Sequence, residues 1–153
     1  MKIVIPIALA SLVAACVSAT LRPAGGGWGD APAVTADDYS LQDAAQFGLT
    51  GQESLDEAAA IIQSRLQNPP NEPVEGNYKE TINVYSGEII GLPRGAVVMT
   101  RENLSDDAAR SVQDVIEFNV SKETQAASVT AYGTRYQCWR VSNPDRWTNR
   151  PCP

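Results

Sequence analysis

Between Asn68 and Asn77 the chain carries Pro69, Pro70, Pro73 and Gly76, and this run constrains the fold more than any other stretch. Proline lacks the amide donor that helix and sheet ladders need, so neither a helix nor a central strand can cross it. The hydrophobic period differs on its two sides. Before it, Ser54-Leu55-Asp56-Glu57 reads as a capping box, and Leu55, Ala58, Ala59, Ile62 and Leu66 recur at helical spacing until the prolines stop them. After it, Tyr78, Glu80, Ile82 and Val84 alternate as on one face of a strand, Ser86-Gly87 offers a turn, and Ile89-Ile90 begins a return.

Other elements follow from the same periods. Thr35-Ala36-Asp37-Asp38 supplies a hydroxyl cap and early acids, with Leu41, Ala44, Ala45 and Gly48 on one side, which predicts an earlier helix ending at Gly48. Leu92-Pro93-Arg94-Gly95 fits a type I turn, and Ala96 to Thr100 a central strand through Val97, Val98 and Met99. Ser105, Asp106 and Asp107 followed by Ala108, Val112, Val115 and Ile116 predict a helix inserted among the strands. Ala126 to Val141, rich in Thr, Tyr and Val, predicts one long strand or a hairpin bent near Gly133. The expectation is a small single α+β domain, with two N-terminal helices and one inserted helix packed on a mainly antiparallel sheet. A hydrophobic fraction of 43% in 153 residues suits one such domain of about 120 residues once an export signal and a linker are set aside.

The amino terminus supplies that signal. Met1-Lys2 gives a positive start and Ile3 to Ala10 an apolar stretch, in the order of a secretory signal peptide. Val13-Ala14-Ala15-Cys16 resembles the lipobox of bacterial lipoproteins, a hydrophobic residue and two small ones before a cysteine that becomes the first mature residue and takes diacylglycerol. The resemblance covers the first sixteen or so residues. It implies a signal peptide over residues 1–15, lipidated Cys16 with a flexible tether to residue 34, and a globular domain over residues 35–153. Acyl chains of the palmitate class would hold the chain at a membrane, each buried methylene contributing about 0.8 kcal/mol. Val17 is not the aspartate that marks inner-membrane retention in such lipoproteins, so the resemblance implies the periplasmic face of the outer membrane. Cleavage after Val17-Ser18-Ala19, or a retained helix over Ile3 to Ala19, are the competing readings. Val17 to Val34, with Gly25-Gly26-Gly27, reads as the tether, and Trp28 is its one aromatic residue.

With Cys16 acylated, Cys138 and Cys152 remain as a pair that an oxidising compartment would join. No histidine occurs in the chain, which excludes imidazole-dependent hydrolysis and histidine-containing zinc sites. Nothing calls for a metal or a cofactor: no glycine-rich loop follows a strand and opens a helix. A formal net charge of -6 argues against nucleic acid.

That charge is uneven. Acids dominate from Asp30 to Glu80, whereas Arg135, Arg140, Arg146 and Arg150 face only Asp145 from Tyr132 onward. The segment around Arg135, Tyr136, Trp139, Arg140, Arg146 and Trp147 joins the residue types enriched where partners dock. It is read either as a binding surface for an envelope protein or anionic envelope polymer, or as arginine-aromatic stacking that stabilises a sheet edge. On a strand, Arg135, Gln137 and Trp139 would share one face, and Tyr136, Cys138 and Arg140 the other. The functional expectation is a non-enzymatic binding or structural module of the cell envelope. The alternatives are a cell-wall glycan hydrolase using two of Glu80, Glu88 and Glu102, with Glu80 and Glu88 meeting across a hairpin, and an inhibitor or immunity-type protein presenting the loop from Cys138 to Cys152.

Overall fold

A computed structural model of the chain describes residues 33–67, 77–89 and 91–153. The signal-type segment, Cys16, Trp28 and the proline-rich connection at 68–76 lie outside the described residues. The elements are β1 (Ser40–Leu41), a 3-10 turn (Ala44–Phe47), α1 (Leu55–Leu66), β2 (Lys79–Ile89), β3 (Leu92–Glu102), β4 (Ala109–Val120) and β5 (Ala127–Cys138). All pairings are antiparallel and the sheet order is β1-β5-β4-β3-β2. Four long strands thus form a meander, with the short β1 added outside β5. The class is α+β, with one α-helix among the described residues.

The capping box closes as the residue types dictate. Ser54 N donates to the Glu57 carboxylate at 2.8 Å, and Glu57 N donates back to Ser54 Oγ at 3.3 Å. Asp56 and Glu57 in the first turn and Arg65 in the last complement the helix dipole. The buried stripe of Ala58, Ala59 and Ile62 rests on Val97, Ile116, Phe118 and Tyr132 from the sheet. Burying an Ile or Phe side chain contributes about 1.5–3 kcal/mol. The helix approaches β3 so closely that a Cβ on Gly95 would stand 2.7 Å from Leu55 Cδ1. On the opposite face Tyr39, Val98 and Val115 form a second cluster with Val34 and Tyr85.

Three expectations fail. The inserted helix is instead β4, in which Val112, Asp114, Ile116, Phe118 and Val120 alternate onto the helix-facing side. Val112, Val115, Ile116 and Val120 are β-branched and stiff at χ1, and pairing on both edges with β3 and β5 outweighs a helix start at Ser105. The first predicted helix also does not form. Asp37, Asp38 and Tyr39 lie in a turn, and Gln42 N donates to Tyr132 O at 2.9 Å, which commits that backbone to the sheet edge. Gly48 does end a helix, with φ of 67°, but only the single 3-10 turn capped by Asp43. Finally, Ser86-Gly87 and Leu92-Pro93-Arg94-Gly95 are not turns. They pair within the β2–β3 hairpin, whose register runs out to Ile89 opposite Leu92.

Of the alternatives for Ala126 to Val141, the single long strand is the one that forms. Gly133 makes no bend there. It gives room to the N-terminal segment, since a Cβ at Gly133 would lie 2.7 Å from Tyr39 Cβ and 2.9 Å from Val34 Cγ1. No helix among the described residues is long and apolar enough to cross a membrane.

Candidate functional site

Beyond β5 the tail turns back along the sheet edge. A disulfide joins Cys138 to Cys152, with Cα atoms 5.4 Å apart across a separation of 14 residues. Closing a loop of this size removes unfolded-chain entropy equivalent to about 3 kcal/mol in the chain-entropy account. Thr148 exchanges two backbone hydrogen bonds with Tyr136, both 2.8 Å, and so extends the edge that β1 begins. Gln137 Nε2 donates to Asp145 O at 2.8 Å, and Arg110 pairs with the Asp145 carboxylate. The Asn149 side-chain amide donates to the carbonyls of Ala36 and Asp37 at 3.2 and 3.1 Å, tying the tail to the N-terminal turn.

Between this loop and that turn lies a cleft of about 370 Å³, lined among others by Asp37, Asp38, Arg135, Arg146, Trp147 and Asn149. Arg135 is its most constrained member. Its guanidinium carbon lies 4.8 Å from the Tyr39 ring centroid and 4.9 Å from that of Trp147. Its Nε donates to Gln113 Oε1 at 2.9 Å, which in turn is held by the Gln113 Nε2 bond to Thr100 Oγ1. Nη1 and Nη2 have no hydrogen-bond partner among the described residues. A guanidinium fixed by two rings and one amide has already lost its rotamer freedom, so an anion meeting its outer edge meets little ordering cost.

Tyr39 is almost wholly buried, and its hydroxyl has no hydrogen-bond partner among the described residues. Burial pushes its phenol above the ordinary value, against the opposing pull of Arg135. It therefore stays neutral and presents its ring to the cation. Of the two readings posed by the sequence, arginine-aromatic stacking at the sheet edge is what the structure shows around Arg135.

The other predicted residues divide. Arg146 and Trp147 join Arg135 at the cleft, whereas Tyr136, Trp139 and Arg140 do not line it. Tyr136 points to the helix-facing side with Cys138, as alternation requires, and burial raises its phenol, with the charge of Asp114 adding to the rise. The strand ends at Cys138, so the predicted faces do not extend to Trp139 and Arg140. Trp139 is 47% exposed with the Arg110 guanidinium 5.4 Å from its ring centroid. Arg140 pairs with Asp107 at 2.8 Å, both well exposed, a contact of small energetic weight.

Sequence reasoning missed the buried polar cluster beneath the sheet's other half. Asp114 is 1% exposed and accepts from Arg101 Nη2 at 2.7 Å, Tyr132 OH at 2.9 Å and Thr134 Oγ1 at 2.7 Å. Arg101 Nη1 also donates to Leu66 O at 3.3 Å, closing the end of α1. Burial first, and the Asp114 charge second, push the Tyr132 phenol far above its ordinary value, so it remains a donor to that carboxylate. The signal was available in the period-2 run from Val112 to Val120, in which one carboxylate stands among apolar residues.

The three glutamates weighed for acid-base work do not converge. Glu80 and Glu88 lie on the same strand and, at a rise of about 3.4 Å per residue, stand about 27 Å apart. Glu102 is opposite Lys79 and pairs with it at 3.4 Å, while Glu80 is opposite Arg101 on the other face. Glu88 pairs with Lys122 at 3.7 Å.

Fold and site together define a small disulfide-closed α+β domain with a charged cleft on one sheet edge. No known protein family, no curated protein and no solved structure matches the chain.

Proposed function

We propose that this chain is a cell-envelope lipoprotein held by acyl chains on Cys16, with a folded domain that binds rather than catalyses. Its contact surface is the cleft around Arg135, and its partner is an envelope protein or an anionic envelope polymer. The observation that carries the reading is the clamp on Arg135: two aromatic rings and Gln113 fix the guanidinium while its outer edge stays unpaired beside a cleft. The disulfide between Cys138 and Cys152 fits an oxidising compartment, and the lipobox-type amino terminus supports the same address. Val17 supports the periplasmic face of the outer membrane.

Crosslinking capture from intact envelopes tests the contact surface. The Arg135→Ala/Arg146→Ala variant loses the partner, while Arg140→Ala, outside the cleft, retains it. Unchanged capture by the double variant refutes the surface. Mass spectrometry of the mature protein tests the anchor: a diacylglyceryl adduct on Cys16 is expected, and a chain beginning at Thr20 contradicts it.

A further inference from the structure

The cleft carries charges of both signs that leave one another alone. Asp37 and Asp38 come from the turn before Tyr39, Arg146 from the disulfide-closed loop, and Arg135 from the strand between them. The ion pairs among the described residues join Lys79 to Glu102, Arg101 to Asp114, Arg110 to Asp145, Lys122 to Glu88 and Arg140 to Asp107. None involves the four charged residues of the cleft. Two acids and two guanidinium groups could neutralise each other within so small a space, yet every N–O separation between them exceeds the 4.0 Å of an ion pair.

Arg135 and the acidic turn each have their own supports. Arg135 is held by Tyr39, Trp147 and Gln113 and cannot swing toward the acids. The acidic turn is pinned by Asn149 through the carbonyls of Ala36 and Asp37, and Asp38 Oδ2 accepts from Thr35 Oγ1 at 3.1 Å. Opposite charges presented unpaired within one cleft are satisfied together by one molecule that carries both complementary charges.

We propose that the cleft binds a zwitterion of the amino-acid class. Its carboxylate lies on the outer edge of Arg135 within reach of Arg146, and its ammonium lies between Asp37 and Asp38. The inference rests on the reading of this cleft as the domain's contact surface and names the group recognised there. A volume of about 370 Å³ admits an amino acid or the end of a short peptide. The same chemistry is offered by a free amino acid and by an unblocked peptide end in an envelope polymer.

Calorimetric titration of the mature, disulfide-intact protein tests it with alanine, dialanine, N-acetyl-dialanine and dialanine amide. Binding is expected for alanine or dialanine, and the two blocked dipeptides should each be weaker than dialanine by about tenfold or more, the loss of one charge-assisted contact. Alanine tighter than dialanine assigns the group to a free amino acid, and the reverse order to a peptide end. Asp37→Asn/Asp38→Asn should bring dialanine and N-acetyl-dialanine to similar affinity, and Arg135→Gln/Arg146→Gln should abolish binding of both. If N-acetyl-dialanine binds as tightly as dialanine and the arginine variant loses both, the zwitterion inference is overturned while the contact surface stands. If neither alanine nor dialanine binds at about 10 mM, the inference is also overturned, and the capture experiment separately decides the surface.

Discussion

Replacing Asp114 with Asn changes one oxygen of a buried carboxylate into an amide and leaves the shape of the core intact. The remaining Oδ1 still accepts from Tyr132 OH and Thr134 Oγ1, while the amide group now faces the Arg101 guanidinium, which can only donate. Removing one partner of a buried ion pair costs about 3–5 kcal/mol, because the other charge is left uncompensated. Arg101 keeps 18% of its side-chain exposure and its bond to Leu66 O, so the lower end applies, about 3 kcal/mol. Its Nε has no hydrogen-bond partner among the described residues, so no spare contact on that side absorbs the loss. With a urea m-value of about 1.5 kcal/mol/M, the unfolding midpoint should fall by about 2 M at unchanged slope. Arg101→Met combined with Asp114→Leu should recover little of that loss, because Tyr132 OH and Thr134 Oγ1 would then be buried donors without their acceptor. A midpoint shift below about 0.5 M for Asp114→Asn would refute the claim that the pair is electrostatically committed.

Gly133→Ala should cost about 1–3 kcal/mol by forcing a Cβ into Tyr39 Cβ and Val34, and the cost should shrink in a Tyr39→Gly background, which removes that Cβ, a coupling that urea unfolding of the double-mutant cycle measures. Glu53 is held at about 2, below the ordinary 4.5, first by the Thr50 hydroxyl and then by backbone amides including that of Gly51. Its folded form favours the ionised carboxylate, so its contribution is complete above the unfolded value and is lost as pH falls from about 4.5 toward about 2. Glu53→Gln should flatten the stability profile in that acid window and leave the profile at neutral pH parallel to wild type.

The sequence made α1 legible in full, because capping box, apolar stripe and proline stop all agree over Ser54 to Leu66. It also made the Cys138–Cys152 bond legible, and the strand character of Glu80 to Val84 and Ala96 to Thr100, though not the turn between them. It failed where two periods overlap. Ala108, Val112, Val115 and Ile116 satisfy helical spacing, while Val112, Ile116, Phe118 and Val120 satisfy alternation, and only pairing with β3 and β5 decides between them. The same limit hid half of the cleft. Arg135, Arg146 and Trp147 stood out by type, but Tyr39, Asp37 and Asp38 reach them through a turn that reads as a helix start. Gln113 reaches Arg135 only because 113 is a strand position opposite 135. Local signals found the side chains that carry chemistry, and long-range register determined which of them meet.

Photo-crosslinking in intact cells tests the cleft most directly, with a photoreactive side chain at Ser142, on the cleft lining, or at Glu88, at the far end of β2. A discrete adduct from Ser142 that disappears with Arg135→Ala, and none from Glu88, is the predicted result. Adducts of equal yield from both positions, or from Glu88 alone, would contradict it.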